Sequence, residues 1–382
     1  QWMLFKQSSA SGNDWQLYDT MRGFVNNTHG GDNGLFPNTS AAEDVNATII
    51  KPTATGFQLE SSAAAVNASG ATYIYIAIRR GPMKTPTTGT SVYTANNAGS
   101  GSSFTAGFPP DMVLSNDRTG SSTANGSRLV GPSYYLETNT TGAETSRANA
   151  FYWDNATGTF INDIQSFSWV FRRAPGFFDE VCYTGDGTTG RSISHNLGVT
   201  PELIILKSRN VAGTNWYVNG PFTTWSLGYP TGFLNLTDQI SGNTTTGIKS
   251  PTSTTFVVNH PNTNSTSGGG GYVAYLFATC PGVSKVGSYT GTGSTQTINC
   301  GFTGGARFVL IKRTDSTGDW YVWDSARGIV AGNDPYLLLN STAAEVTSTD
   351  YVDTYSAGFE ISSTAPAAIN ASGGTFIFLA IA

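Results

Sequence analysis

Charged residues are scarce in this sequence. Aspartate, glutamate, lysine and arginine make up 12% of its 382 residues, about half the share of an average soluble protein, and the net charge is −5. Binding to nucleic acid or to an anionic membrane surface depends on clustered basic side chains, so the composition argues against both partners. An aromatic content of 12% argues against a disordered chain.

Cysteine and long apolar runs are also rare. The three cysteines, Cys182, Cys280 and Cys300, are too few for a disulfide framework, and no CxxC or HxxxH spacing indicates a metal site. The longest apolar run, residues 73–78, is far shorter than the roughly 18 residues that cross a bilayer. We therefore expect packed cores, and not metals or disulfides, to stabilise the protein.

Catalytic groupings are missing as well. His29, His195 and His260 have no neighbouring cysteine or histidine, and no Gly-x-Ser-x-Gly elbow or Ser/His/Asp grouping is present. The sequence therefore predicts no catalytic residue, no metal and no cofactor.

Strand-forming residues and turn-forming residues alternate along the chain. Runs of 4–8 residues rich in Val, Ile, Tyr, Phe and Thr are separated by stretches of Gly, Asn, Ser and Thr, and glycine alone accounts for 45 residues. No 10-residue window keeps a helical period, although Ala41–Val45 has room for one helical turn. This pattern predicts an all-β fold of antiparallel β-sandwiches or jelly rolls.

Five sequence blocks near the N-terminus return in the same order near the C-terminus. The N-terminal blocks are residues 2–6, 15–23, 38–43, 56–59 and 67–77, and their counterparts are residues 307–312, 320–328, 340–345, 358–361 and 370–380. Two weaker copies lie between, in residues 111–171 and 201–278. Such spacing is the signature of a repeat architecture.

Prolines after each closing apolar strand mark the boundaries between the repeats, because proline cannot donate to a ladder. Pro82, Pro175 and Pro281 hold these positions. We predict four tandem β-sandwich (jelly-roll-like) units: unit one, residues 1–80; unit two, which is divergent, residues 81–173; unit three, residues 174–279; and unit four, residues 280–382.

Unit one lacks the strand pair that opens units three and four. In unit three the pair is residues 181–187 with 192–194, and in unit four it is residues 286–291 with 296–298. We expect the chain to be part of a longer polypeptide, or a neighbouring chain to supply the missing strands. Unit one should then have an unpaired sheet edge, which strand addition in a homo-oligomer, such as a trimer, would cover.

One repeated motif places an acid three residues before a base. Trp15, Asp19, Arg22 and Gly23 correspond to Trp320, Asp324, Arg327 and Gly328, and unit three retains Trp216 but has Asn219-Gly220 in place of the acid. A carboxylate beside a guanidinium can bind a sugar or a phosphate. We favour the alternative that the pair fixes a turn at the end of a strand and that the tryptophans share one buried position.

A second repeated block begins with asparagine and ends with glutamate. It runs from Asn38 to Glu43, from Asn139 to Glu144 and from Asn340 to Glu345. General acid catalysis would need a second carboxylate at a repeated offset, which is missing. We expect the asparagine to cap a turn and the glutamate to face solvent or meet a backbone amide.

The repeated blocks resemble a repeat domain of marine bacteriophage virion proteins, described as tail-fibre or structural proteins of cyanophage-like viruses. Units one and four carry the resemblance well, unit three partly and unit two weakly. It implies a non-enzymatic structural protein on the virion surface, outside the cell. Its partners would be copies of itself or other virion proteins, as in a tail fibre or a capsid decoration.

A second hypothesis is a lectin-like module that recognises host surface glycans. Exposed tryptophans such as Trp153 and Trp225 would then stack on sugar rings. An enzyme that degrades polysaccharide is the third and least favoured alternative.

Overall fold

The computed structural model describes residues 1–26, 32–47, 49–79, 84–96, 102–147, 151, 153, 159–162, 166–220, 231–240, 247–259 and 261–382. Within these residues the regular structure is antiparallel strand, apart from two four-residue α-helices and two 3₁₀ turns. The predicted all-β fold is therefore confirmed. No helix in this part of the chain has the length and apolar character needed to cross a membrane.

Unit one forms a five-stranded sheet and a hairpin. Its elements are β1 (Trp2–Gln7), β2 (Gln16–Asp19), β3 (Asp32–Leu35), β4 (Asp44–Ala47), β5 (Ile50–Pro52), β6 (Phe57–Leu59), α1 (Ala64–Asn67) and β7 (Tyr73–Ile78). The sheet order is β4-β3-β2-β1-β7, and β5 pairs with β6. The helical turn expected at Ala41–Val45 is wrong, because β4 pairs with β3 there.

Unit two has a four-stranded main sheet with the order β11-β10-β15-β8. Its elements are a 3₁₀ turn (Gly89–Ser91), β8 (Tyr93–Asn96), β9 (Ser102–Thr105), β10 (Met112–Asp117), β11 (Thr123–Ser127), β12 (Tyr134–Tyr135), β13 (Thr145–Ser146), β14 (Thr159–Asn162) and β15 (Ser166–Phe171). Strand β12 pairs with β13, and β14 pairs with β9.

Unit three has a five-stranded main sheet with the order β16-β22-β18-β19-β20, and β17 pairs separately with β21. Its elements are β16 (Phe178–Thr184), β17 (Thr189–Ser194), β18 (Leu203–Ser208), β19 (Tyr217–Asn219), β20 (Gly232–Phe233), β21 (Thr255–Asn259), a 3₁₀ turn (Ser267–Gly269) and β22 (Gly271–Phe277).

Unit four has the main sheet β23-β30-β25-β26-β27 and the small sheet β24-β29-β28. Its elements are β23 (Ser284–Thr290), β24 (Gln296–Asn299), β25 (Phe308–Arg313), β26 (Trp320–Asp324), β27 (Leu337–Leu338), β28 (Val352–Tyr355), β29 (Gly358–Ile361), α2 (Ala367–Asn370) and β30 (Thr375–Ile381).

Units one and four share strand order and register. Trp2 pairs with Asp19 and Ile78, as Phe308 pairs with Asp324 and Ile381. The closing strands differ in their edges: β23 covers β30, whereas β7 ends its sheet in the described part of unit one. The edge that the sequence predicted to be unpaired is therefore β7.

The main sheets of units two, three and four meet in one central core. Each contributes alternate residues of its closing strand: Phe167, Trp169 and Phe171 from β15; Val273, Tyr275 and Phe277 from β22; and Ile377, Leu379 and Ile381 from β30. The opposite faces of the sheets in units three and four pack on those units' own small sheets. Strands β22 and β30 are buried on both sides, which explains why they lack polar alternation.

The joints around this core repeat one backbone hydrogen bond. The N–H of Glu144 in unit two donates to the carbonyl of Arg209 in unit three, 2.7 Å away. The N–H of Ile240 in unit three donates to Thr314 in unit four (2.9 Å), and that of Glu345 in unit four donates to Arg118 in unit two (3.0 Å). The contacts run from unit two to three, three to four and four to two, so the three units form a closed, approximately threefold ring.

Candidate functional site

The asparagine that opens the repeated block holds the strand that begins at tryptophan. The Oδ1 of Asn340 accepts a hydrogen bond from the backbone N–H of Trp320 at 2.8 Å, and its Nδ2 donates to Asp319 at 2.7 Å. Asn38 makes the same two bonds to Trp15 and Asp14. Asn139 differs, because its Oδ1 accepts from the Thr123 hydroxyl at 2.7 Å.

The Asp–Arg motif closes a turn. Asp324 Oδ1 accepts the backbone N–H groups of Ala326 and Arg327, while Oδ2 lies 2.6 Å from Arg327 Nε. Asp19 and Arg22 form the same ion pair and the same turn. The glycines that follow, Gly23 and Gly328, have positive φ angles of 108° and 125°. Residues with a Cβ atom rarely adopt this backbone conformation.

Asp324 also joins two units. Its Oδ2 accepts from the indole N–H of Trp169 in unit two at 3.0 Å. The guanidinium of Arg327 lies 5.0 Å from the ring centre of Phe167 and 5.4 Å from that of Trp169. Within unit four this pair is therefore enclosed by protein and cannot receive a sugar or a phosphate.

The expectation that the glutamates of the repeated block face solvent is wrong for Glu144 and Glu345, whereas the side chain of Glu43 is 33% exposed. Glu345 is buried between Arg327 of its own unit and Arg118 of unit two, with N–O distances of 3.3 and 2.6 Å. Glu144 forms a fully buried ion pair with Arg209 of unit three. Burial lowers the pKa of Arg209, but the charge and hydrogen bond of Glu144, together with smaller effects of Cys182 and Tyr275, hold that pKa above its ordinary value.

The sugar-stacking surface predicted at Trp153 is not present. Trp153 is 5% exposed, stacks on Phe151 at 5.5 Å between ring centres, and lies beneath the Arg128 guanidinium. The side chain is covered because it belongs to the core of unit two. Trp225, the second predicted stacking residue, lies outside the described residues.

A cleft of about 1200 Å³ separates unit one from units two and three. Its walls carry ion pairs, Arg173 Nε with Asp179 Oδ1 at 2.8 Å and Arg128 Nε with Asp111 Oδ1 at 3.6 Å. Glu180 also lies in the wall, and burial raises its pKa to about 8. The carboxylates of Asp111 and Asp179 in these walls are thus paired with guanidinium groups.

The described residues hold no group of three His, Cys, Asp or Glu side chains placed to bind a metal ion. All three cysteines are free and buried. Burial raises the pKa of Cys182 above its ordinary value, so its sulfur stays protonated and is a poor nucleophile. Of the histidines, His195 is buried against the Thr252 carbonyl, while His29 and His260 lie outside the described residues.

The candidate site is an exposed apolar sheet face on unit one. Trp2, Leu4, Trp15, Leu17, Ile74, Ile76 and Ile78 lie on this side of the sheet, which we call the open face. Ile74, Ile76 and Ile78 are 52%, 54% and 54% exposed. On the other side of the same sheet, Met3, Phe5 and Tyr18 are buried in the core of unit one.

The open face corresponds, residue by residue, to the face that unit four buries in the central core. The shared register matches Ile74, Ile76 and Ile78 with Ile377, Leu379 and Ile381, which are at most 3% exposed. Trp320 and Trp216 are fully buried, whereas Trp15 is only half-buried, so the prediction that Trp15 is buried like Trp320 is wrong for the single chain. The physical reason is that no other sheet covers this face within the described chain.

The open face was not among the features predicted from the sequence. The available signal was the near-identity of residues 73–78 with residues 376–381, a segment whose lack of polar alternation predicts burial on both faces. In unit one the corresponding residues are exposed on the open face. An exposed apolar patch of this kind marks an interaction surface.

Comparison with known proteins gives one match. A family model described as a domain of unknown function, DUF7483, matches residues 1–82 and 150–382 and omits most of unit two. The searches of curated proteins and of solved structures found no significant match. Because the family model matches well over half of the chain, this protein belongs to the family of the domain of unknown function DUF7483.

Proposed function

We propose that this chain is a non-enzymatic structural protein that assembles with copies of itself through the open face of unit one. One observation carries the proposal: the equivalent faces of three other sheets are buried against each other, whereas this one is exposed. Burial of contiguous isoleucine and tryptophan side chains is a favourable driving force for association.

Two further observations support a structural role. The charged residues of the repeated motifs are used in ion pairs within and between units, as Glu345 with Arg118 and Arg327 illustrates. The resemblance of the repeated blocks to phage virion proteins supports a place on the virion surface, as part of a tail fibre or another appendage.

The test is sedimentation velocity over a wide range of protein concentration. We expect the wild-type chain to associate, and a variant carrying Ile74→Ser and Ile76→Ser to remain monomeric with unchanged thermal stability. Val330→Ser is the matched control, since Val330 is 50% exposed but lies in unit four, away from the open face. A wild-type chain that stays monomeric at every concentration would refute the proposal.

A further inference from the structure

Unit one carries both halves of the joint that connects units two, three and four. The backbone donors of that joint are Glu144, Ile240 and Glu345. Each stands five residues after an asparagine, which in unit three is Asn235. Unit one has Glu43 five residues after Asn38. The acceptors are Arg209, Thr314 and Arg118. Ser8 occupies their register position, because Gln7 pairs with Tyr73 as Arg313 pairs with Phe376.

Unit one also carries a donor and an acceptor for the indole hydrogen bond of this joint. Trp216 donates its indole N–H to the Glu137 carbonyl of unit two at 3.0 Å, and Trp320 donates to the Phe233 carbonyl of unit three at 2.9 Å. The corresponding donor in unit one is Trp15, and the corresponding acceptor, two residues before Asn38, is the carbonyl of Phe36.

A buried lysine supplies a third contact. Lys312 donates to the Gly318 carbonyl in its own unit and, at 2.9 Å, to the Thr237 carbonyl in unit three. Lys207 likewise reaches Thr214 in its own unit and Thr141 in unit two. Lys6 makes the contact within its own unit, to the Asn13 carbonyl.

From these matches we infer that three copies of this chain join through unit one in a closed threefold ring that repeats the ring inside each chain. Inside the chain each unit uses its two halves against two different neighbours: unit three accepts from unit two at Arg209 and donates to unit four from Ile240, so the contact is head-to-tail. Inside the chain, three units joined by this contact form a closed ring. In the assembly the Ser8 carbonyl of one copy accepts the Glu43 N–H of the next copy. Trp15 Nε1 and Lys6 Nζ of the first copy donate to the carbonyls of Phe36 and Ser40 of that next copy.

The inference rests on the proposed function, and it predicts how a new charge at position 8 acts. Arg118 and Arg209 stand at the position of Ser8, and each pairs with the glutamate of the adjoining unit. Ser8→Arg therefore creates an ion pair with Glu43 of the next copy. We expect the dissociation constant of the assembly to fall by up to about fivefold for each pair formed, as for a surface ion pair.

The experiment combines native mass spectrometry, which gives the number of chains, with sedimentation equilibrium, which gives affinity. The variants are Ser8→Arg, Ser8→Met as a control for side-chain length, and Ser8→Arg combined with Glu43→Gln. We expect three chains per particle, tighter association for Ser8→Arg alone, and loss of that gain when Glu43→Gln is added.

The outcomes separate the two proposals. A dimer or an open-ended series of masses would overturn the threefold ring and leave self-assembly standing. Trimers in which Ser8→Arg and Ser8→Met behave alike would overturn the pairing of Ser8 with Glu43. Absence of any association would overturn both proposals.

Discussion

A single asparagine side chain fixes the start of an equivalent strand in units one, three and four. In each, its oxygen accepts the backbone N–H of a tryptophan, and its nitrogen donates to the residue before that tryptophan. The sequence indicated that this asparagine caps a turn. It could not indicate the partner, because Asn340 and Trp320 are 20 residues apart and meet only when the strands pair.

The paired tryptophans give the first test at the residue scale. Trp320→Ala should lower the free energy of unfolding by about 3–5 kcal/mol, because it removes a fully buried indole and the hydrogen bond to Phe233. Trp15→Ala should cost less than about 2 kcal/mol in dilute solution, where the indole is half-exposed. Urea unfolding at low protein concentration measures both losses, and equal losses would contradict the distinction between the open face and the central core.

A buried carboxyl gives a second test. Burial raises the pKa of Glu180 from 4.5 to about 8, so the folded protein keeps a proton that the unfolded chain releases. The contribution of Glu180 to stability therefore falls as the pH rises from about 4.5 to 8. Asp32 and Asp334, with pKa values raised by burial to about 6 and about 7, act in the same direction.

Glu180→Gln isolates the contribution of this residue. Glutamine keeps the shape of the protonated acid and does not titrate, so the variant should lose less stability than the wild type between pH 5 and pH 8. Thermal unfolding midpoints of the two proteins at both pH values provide the measurement. An unchanged pH dependence would show that Glu180 is already ionised in the folded protein.

Strands β7 and β30 have similar sequences but opposite surroundings. Strand β30 is covered by β23 at its edge and is buried on both faces, whereas β7 ends its sheet and has three isoleucines exposed. The sequence predicted both strands and the bare edge of β7 because local composition and repeat spacing determine them. It did not predict the open face, since burial of β30 depends on two other sheets.

The ion pairs between units explain why Glu144 and Glu345 are buried although the sequence predicted solvent-facing glutamates. Glutamates near a turn are usually solvated, but Glu144 is enclosed because Arg209 of unit three lies against it. Glu144→Gln should cost about 3–5 kcal/mol, since it leaves a buried guanidinium without its counter-ion. Replacing both partners, with Glu144→Leu and Arg209→Met, should cost less than Glu144→Gln alone, as measured by urea unfolding. The opposite ranking would show that the pair itself stabilises the joint.

The whole molecule is a threefold ring of three units with a fourth unit attached at its edge. The attachment uses specific bonds: the Asn26 N–H donates to the Leu129 carbonyl at 2.8 Å, and Asn196 Nδ2 donates to the Ala54 carbonyl at 2.7 Å. The ring could not be predicted from the repeated blocks, because a repeat pattern does not specify which faces meet.

Association through the open face should be insensitive to salt. The face is formed mainly by isoleucine, leucine and tryptophan, with Lys6 beside Ile74, so there are few charges for added ions to screen. Light scattering at low and high salt should give the same mass for the wild-type chain. Dissociation at high salt would indicate that an ionic surface, and not the open face, holds the copies together.

Hydrogen exchange at the backbone amide of Glu43 tests the central claim most directly. The equivalent amides of Glu144 and Glu345 donate across joints inside the chain and should be protected at every protein concentration, which makes them internal controls. The account predicts that the Glu43 amide exchanges rapidly in dilute protein and becomes protected when the chain assembles. Rapid exchange at Glu43 in the assembled protein, with Glu144 and Glu345 protected, would contradict it.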